Sequence, residues 1–413
     1  MAVRTADGGR RAAVVAVSAA AMGLGSAPPF LLGYLGPAIR ADLDLSRGQL
    51  GLLIGLFYGL TGLGSLGTAR VAERWGARRC LVVDLAVVVA CLAGTALSGS
   101  AVLLAITAVL TGAGYSLTNA GTSMAVAATA PPGRAGQDLT VKTAGVPLMA
   151  TVLAVAGPPI GAIVGWRVVF GGLSALAALA AVAAALVLPG PAARRRTGAG
   201  SSSREDRLPA GFLLLPVAGF LFIGGSQPLL SWLVLALTDS GLRPETAGLI
   251  SAAGTAFGVV AMLAISRVSD RIGPPHRAVV AAVTATTAAV GVGLLWASPA
   301  GSVLLVVLGA VLGLVGNLGG AGTMQAVVVD RVPWAVGRAI GLMSAGYYTG
   351  ALVAPWIFGV TADATGGYDL PWALCLAALL ASAVCFLVAH RRIPVAAAAP
   401  SVLVTAPTDV GPA

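Results

Sequence analysis

Charge is what this sequence has least of. Of its 413 residues only 10% are Asp, Glu, Lys or Arg, against 57% hydrophobic, whereas a soluble domain carries about a quarter charged residues. That deficit excludes a soluble globular protein of this size. Histidine is almost missing: His276 and His390 are the whole supply, each at the end of an apolar run. No nucleophile–His pair and no metal cluster can be assembled from this inventory. The sequence therefore reads as a protein that is not an enzyme and holds no cofactor and no metal. The four cysteines, Cys80, Cys91, Cys375 and Cys385, lie in apolar runs with no close pair. They read as small buried hydrophobes, not as disulfides or ligands. Lysine occurs once, as Lys142, beside 24 arginines.

What is there is a succession of apolar stretches of about 20 residues, the length a helix needs to cross a bilayer. Twelve spans are expected: 12–35, 48–67, 81–98, 102–127, about 134–164, 167–188, 210–237, 247–265, 278–297, 303–328, 338–361 and 372–389. Arg10-Arg11 before the first run has the look of a signal-peptide n-region, but removing that run would leave an odd count and break the repeat described below. The 56 glycines would weaken soluble helices, whereas in a membrane they let backbones approach closely. Gly51, Gly55 and Gly59, and Gly309 and Gly313, have that spacing. The Pro-, Ser- and Arg-rich stretch 189–209 reads as a solvated linker, and 393–413 as a disordered tail. The domains expected are thus 1–188 and 210–392.

The net charge of +10 comes in short bursts between apolar runs, which argues against a nucleic-acid partner and for the positive-inside pattern. With both termini cytoplasmic, twenty arginines fall in inner loops and four, Arg40, Arg47, Arg167 and Arg243, in outer ones. The expected location is the cell membrane, multi-pass, with lipid and a small solute as partners, and a monomer.

The chain is also written twice. Leu45 pairs with Leu242, Gly51-Leu52 with Gly248-Leu249, Pro158 with Pro355, and Glu73-Arg74-Trp75-Gly76 with Asp270-Arg271-Ile272-Gly273, all 197 residues apart. Repeats of this size mark secondary transporters, whose sites lie where the repeats meet.

Twelve helices in two parallel repeats, with an acidic-Arg-x-Gly loop after spans 2 and 8, resembles the major facilitator superfamily. That resemblance implies an all-α membrane protein of two six-helix pseudo-symmetric bundles. The family's loop signature is Gly-x-x-x-Asp-Arg-x-Gly-Arg-Arg. Here Glu73 stands for the Asp, Ala69 for the first Gly, and Arg78-Arg79 close the motif; in the twin, Ser266 replaces the Gly. An acid there can accept from a neighbouring helix N-terminus or pair with arginine, so Glu73, Arg74, Arg78, Asp270 and Arg271 are read as a cytoplasmic gate latch. Simple topology charge is the bland alternative.

Lys142 lies about eight residues into span 5, roughly 12 Å from Arg134 at 1.5 Å per residue. An ammonium at that depth usually faces a wet cavity or a partner. It reads as a cavity cation for an anionic or polar solute; pairing with Asp138 or snorkelling is the alternative. The run Lys142-Thr143-Ala144-Gly145-Val146-Pro147, with Pro158-Pro159 and Gly165-Trp166-Arg167, looks like the cyanate and nitroimidazole branch of the superfamily. The arginine which that likeness would place in span 1 is absent. Other candidate contacts are polar residues inside apolar runs: Tyr34, Tyr58, Tyr115 and Asn119 in the first half, and Ser226, Gln227, Trp232, Asn317, Tyr347 and Tyr348 in the second. Asp84 is read as a partner of Arg78 or Arg79 rather than a proton carrier.

The function expected is secondary transport of a small anionic or polar solute by alternating access, with protons as a candidate coupling ion. The alternative is a proton-linked multidrug or metabolite efflux antiporter, although Ala108 and Leu153 occupy positions where proton-linked and antiporter members commonly carry Arg and Gly. A non-transporting membrane sensor is a remote third.

Overall fold

The computed structural model describes residues 2–98, 100–131, 135–188, 208–298 and 302–395. The predicted linker and tail fall almost wholly outside them, as does Arg134. Everything described is helix and short connections. The first half holds α1 (Ala2–Gly25), α2 (Ala27–Tyr34), α3 (Gly36–Leu43), α4 (Arg47–Ser98), α5 (Ala101–Thr129), α6 (Ala135–Val164) and α7 (Trp166–Val187). The second holds α8 (Leu214–Ser231), α9 (Leu233–Asp239), α10 (Pro244–Ile272), α11 (Arg277–Ala297), α12 (Val303–Arg331), α13 (Val336–Thr365) and α14 (Asp369–Arg392).

Ten segments are long and apolar enough to cross a membrane, and the bent pair Gly9–Gly25 and Ala27–Tyr34 makes an eleventh. The twelfth, α13, has the length at 30 residues, but Ser344, Tyr347, Tyr348 and Thr349 dilute its apolar character. The first apolar run, 12–35, is bent by 46° between α1 and α2. Pro28 and Pro29 have no N–H, so the carbonyls of Leu24 and Gly25 lose their helical donors at the bend. Ser26 Oγ donates to Gly23 O at 2.9 Å beside it.

The repeat is visible in the backbone. Gly76 breaks α4 at φ 76°, ψ 163°, and its partner 197 residues on, Gly273, ends α10 at φ 81°, ψ 176°. Both conformations favour glycine. Asp44 and Gly241, also 197 apart, both take positive φ. Leu35 and Trp232, at the same offset, are the breaks between α2 and α3 and between α8 and α9.

Each half packs as a six-span bundle, α4 against α5 and α7 in the first, α11 against α12 and α14 in the second. The halves meet along α4 and α13, along α6 and α10, and at α2 and α8. These seams are made of glycine on backbone. A Cβ added to Gly51 would lie 2.1 Å from Pro355 O, and one on Gly248 2.1 Å from Ala154 O with Pro158 at 3.3 Å. The two contacts exchange under the repeat. Along α4 the seam continues through Gly55 (Leu352 O at 2.1 Å), then against side chains at Gly59 (Leu352 Cδ1 at 2.9 Å) and Gly62 (Tyr348 Cβ at 2.5 Å), and then stops. Gly67 on α4 and Gly341 and Gly337 on α13 have nothing within 4 Å. The halves are zipped at the face away from the termini and parted at the face that carries them.

Replacing Gly55 by Ala should force backbone apart and cost about 1–3 kcal/mol of this closed seam, read as a lower melting midpoint in detergent. Gly67→Ala, in open space, should leave the midpoint unchanged or slightly raised.

Candidate functional site

On the parted face the halves enclose a cavity of about 230 Å³. Thr61, Ser65 and Thr68 line it from α4, Ser116, Asn119 and Ser123 from α5, and Tyr348 from α13. The α5 residues fall three to four apart, which puts them on one helix face. The threonines and serines bond back to carbonyls of the same helix, as Thr61 does to Phe57 O at 2.8 Å and Ser116 to Ala113 O at 2.7 Å, so they add polarity without disturbing the helices. Among these lining residues none is charged.

The charge lies one layer behind. Lys142 on α6 is 2% exposed. Its Nζ donates to Asn119 Oδ1 at 3.0 Å, Ser123 Oγ at 2.9 Å and Asn119 O at 3.4 Å. Three neutral acceptors match its three donors, and among the described residues no carboxylate forms an ion pair with it. Asp138, the alternative partner, instead holds Arg11 through two bonds of 2.6 and 2.8 Å. With its oxygen taken by the ammonium, the exposed Asn119 amide has its NH2 left to offer the cavity.

Above the cavity, toward the zipped face, the other candidates gather. Phe57 contacts both Tyr58 and Tyr115, with ring centroids at 5.2 and 5.6 Å, and Tyr347 packs edge-on to Tyr348 at 5.5 Å. Tyr58 faces Gln227 across the halves. Ser226 Oγ donates to Asn317 Oδ1 at 3.1 Å. Tyr34 and Trp232 are not on the cavity: they are 2% and 0% exposed, and Trp232 packs on Phe358 and against Gly51 in the seam. Trp232 Nε1 and Asn317 Nδ2 are buried without a partner among the described residues. The Tyr34 hydroxyl faces Ser251, and Gln227 faces Tyr58, neither pair in strict hydrogen-bond geometry.

The loop residues are spread out. Glu73, Arg74 and Arg271 are exposed, and among the described residues none forms an ion pair. Arg78 Nε donates to Leu188 O at 2.8 Å. Asp270 pairs with Arg277 at 3.2 Å, which also holds Asp330 at 2.8 Å. Asp84, expected beside Arg78 or Arg79, is fully buried and accepts from Thr118 Oγ1 instead. It lies about a turn and a half beyond Arg78 and faces α5, where neither arginine reaches.

A second charged cluster went unread in the sequence. On the zipped face Arg47, at the start of α4, donates to Asp239 Oδ2 from Nη2 at 2.7 Å and Nε at 3.2 Å, and to the Tyr368 hydroxyl at 3.0 Å. Tyr368 donates to Asp239 at 2.7 Å. Asp363 accepts from the backbone N–H of Arg47 at 3.1 Å and of Gly48 at 2.8 Å, so a carboxylate of one half caps a helix of the other. Arg47 is one of the four outer-loop arginines, and that scarcity was the available signal.

Two bundles repeated in sequence, meeting at glycine seams around a polar cavity, define a secondary transporter. The chain belongs to the Major Facilitator Superfamily, whose sequence profile matches residues 12–333 and 217–410. It is similar to the multidrug efflux protein YfmO of Bacillus subtilis, 27% identical over 354 residues that span 83% of each chain. A short match, 41% identical over 51 residues, relates 12% of the chain to 62% of the putative uncharacterized protein YjhE of Escherichia coli. Among solved structures the fold resembles a bacterial homologue of the human lysosomal transporter Spinster in an inward-facing, unoccupied conformation. The TM-score is 0.68 at 15% identity, over 92% of this chain and 96% of that one.

Replacing Arg47 by Ala should remove about 1 kcal/mol of preference for the zipped face, since the pairs are partly exposed. Spin labels at Leu97 and Leu304, on opposite halves of that face, should then show a second, longer distance that the parent protein lacks.

Proposed function

We propose that the chain moves a small solute rich in hydrogen-bond acceptors, anionic or strongly polar, by alternating access across the cell membrane. The observation that carries this reading is the Lys142–Asn119–Ser123 group: an ammonium with neutral partners, set behind an amide whose free hydrogens are left to the cavity. Such a wall attracts acceptors and repels cations. Tyr58, Tyr115, Tyr347 and Tyr348 supply flat faces and hydroxyls. Cyanate-sized anions fall within this class.

By the arginine distribution the parted face is cytoplasmic and both termini lie there. The Arg47–Asp239–Asp363–Tyr368 group then closes the outer side, while Glu73, Arg74, Arg78, Asp270 and Arg271 re-engage when the inner side shuts. A second reading, efflux of drugs, is favoured by the likeness to YfmO. Lipophilic cations would need an acid at the cavity wall, and the described lining has none.

A thermal-shift panel tests the choice. Formate, nitrate, cyanate or phosphate should raise the melting midpoint, and Lys142→Met should abolish the rise. Stabilisation by ethidium or tetraphenylphosphonium instead, unaffected by Lys142→Met, would turn the assignment to drug efflux.

A further inference from the structure

Asp84 has no role in the site just described, yet its position in the fold gives it one. It stands about a third of the way along the second limb of α4, where α1, α4 and α5 meet, and it is 0% exposed. Oδ2 accepts from Thr118; Oδ1 has no partner among the described residues and is packed against Gly114 of α5. No lysine or arginine pairs with it among the described residues. The ionisable groups facing it are Cys80 and Cys91 on its own helix and Tyr115 from α5. From α1 it meets Gly25, whose added Cβ would lie 3.6 Å from Oδ2; between Ala12 and Gly25 that helix has no ionisable residue. Arg167 is the sole one on α7, and it is bound to Asp42 at 2.7 Å on the far face.

A carboxylate with one hydroxyl donor and no cation is far too costly inside a bilayer to remain charged. The site lies beside the α1–α2 bend, where Gly25 faces Oδ2. It holds an unpartnered carboxylate oxygen and no positive charge among the described residues, a setting made for a cation. The packing of Oδ1 on Gly114 leaves no room for a coordinated metal. Thr118, which holds Asp84, is the neighbour in α5 of Asn119, which covers Lys142. Asp84 and Lys142, both buried and neither in an ion pair among the described residues, thus hang on adjacent residues of one helix, and a turn of α5 that frees one disturbs the other.

We infer that Asp84 is the site at which this transporter takes up and releases a proton, and that the bound proton strengthens anion binding at Lys142 and Asn119. The carboxylate takes one proton from water to become the acid, no other bond changes, and the proton returns to water when the carboxylate re-forms. With Asp84 neutral, Lys142 gives the pocket a net positive charge; with Asp84 ionised that charge is cancelled. Proton and anion therefore favour each other's binding, reciprocally. The linkage rests on the anion reading; the protonation of Asp84 does not.

Infrared difference spectroscopy on the full-length protein in lipid vesicles tests both parts. A carbonyl band of a protonated carboxyl should lose intensity as the pH is raised, be missing in Asp84→Asn and persist in Asp138→Asn. Thr118→Val, which keeps the acid and removes its donor, should move that band to higher frequency, and this arm stands even if Asp84→Asn fails to fold. A missing band, or one that ignores pH, overturns the proton site. Bleaching by sodium chloride but not choline chloride at fixed pH marks a sodium site instead and overturns it too. Choline nitrate should enlarge the band at fixed pH; a band that shrinks or does not respond overturns the linkage. Stabilisation by nitrate in the thermal assay with no band present sinks this inference while the anion site stands.

Discussion

The structure depends on backbone meeting backbone at Gly51 and Gly248. Lipid gives apolar side chains no reason to leave it, so helices inside a membrane associate by close packing and polar contact instead. At these two glycines a carbonyl of the opposite half lies where a Cβ would be, 2.1 Å away in both cases. A contact of this kind has no interlocked side chains to unthread. It can open and re-form without repacking either bundle. Arg47 and Asp239 bridge the halves at the end where the glycine seam is tightest.

The same constraint separates what could be read in the sequence from what could not. Span lengths follow from the thickness of the bilayer, and the repeat follows from counting; both fix Gly76 and Gly273 as twin breaks, and both have the same unusual backbone angles. The depth of Lys142 was legible because a lone lysine in an arginine-rich chain has few ways to be accommodated. Its partners were not. Asp138, one turn away on α6 and the alternative partner, is occupied by Arg11 from α1, and the ammonium turns to α5. Asp84 was misassigned for the same reason, since nearness in sequence to Arg78 says nothing about which helix face it occupies. Arg47 and Asp239 are 192 residues apart, and no local pattern joins them. The bend at Ser26 was in principle visible in Pro28-Pro29, but consecutive prolines inside an apolar run do not say whether a helix kinks or ends.

The distribution of charge inside the first half completes the reasoning. Both deep ionisable groups meet neutral partners, Lys142 an amide and a hydroxyl, Asp84 one hydroxyl at Oδ2 with Oδ1 left over. Neither is locked to an opposite charge, as Arg11 is to Asp138 or Arg277 to Asp330. A locked pair fixes a conformation, because separating it strands a charge in the membrane. A charge held by neutral groups can change partners without stranding a counter-charge. The locked pairs sit near the membrane faces, where bundles must keep their shape, and the unlocked groups sit where α5 passes between them. The helices that bound the cavity can therefore respond to what it holds without unravelling the halves that carry them.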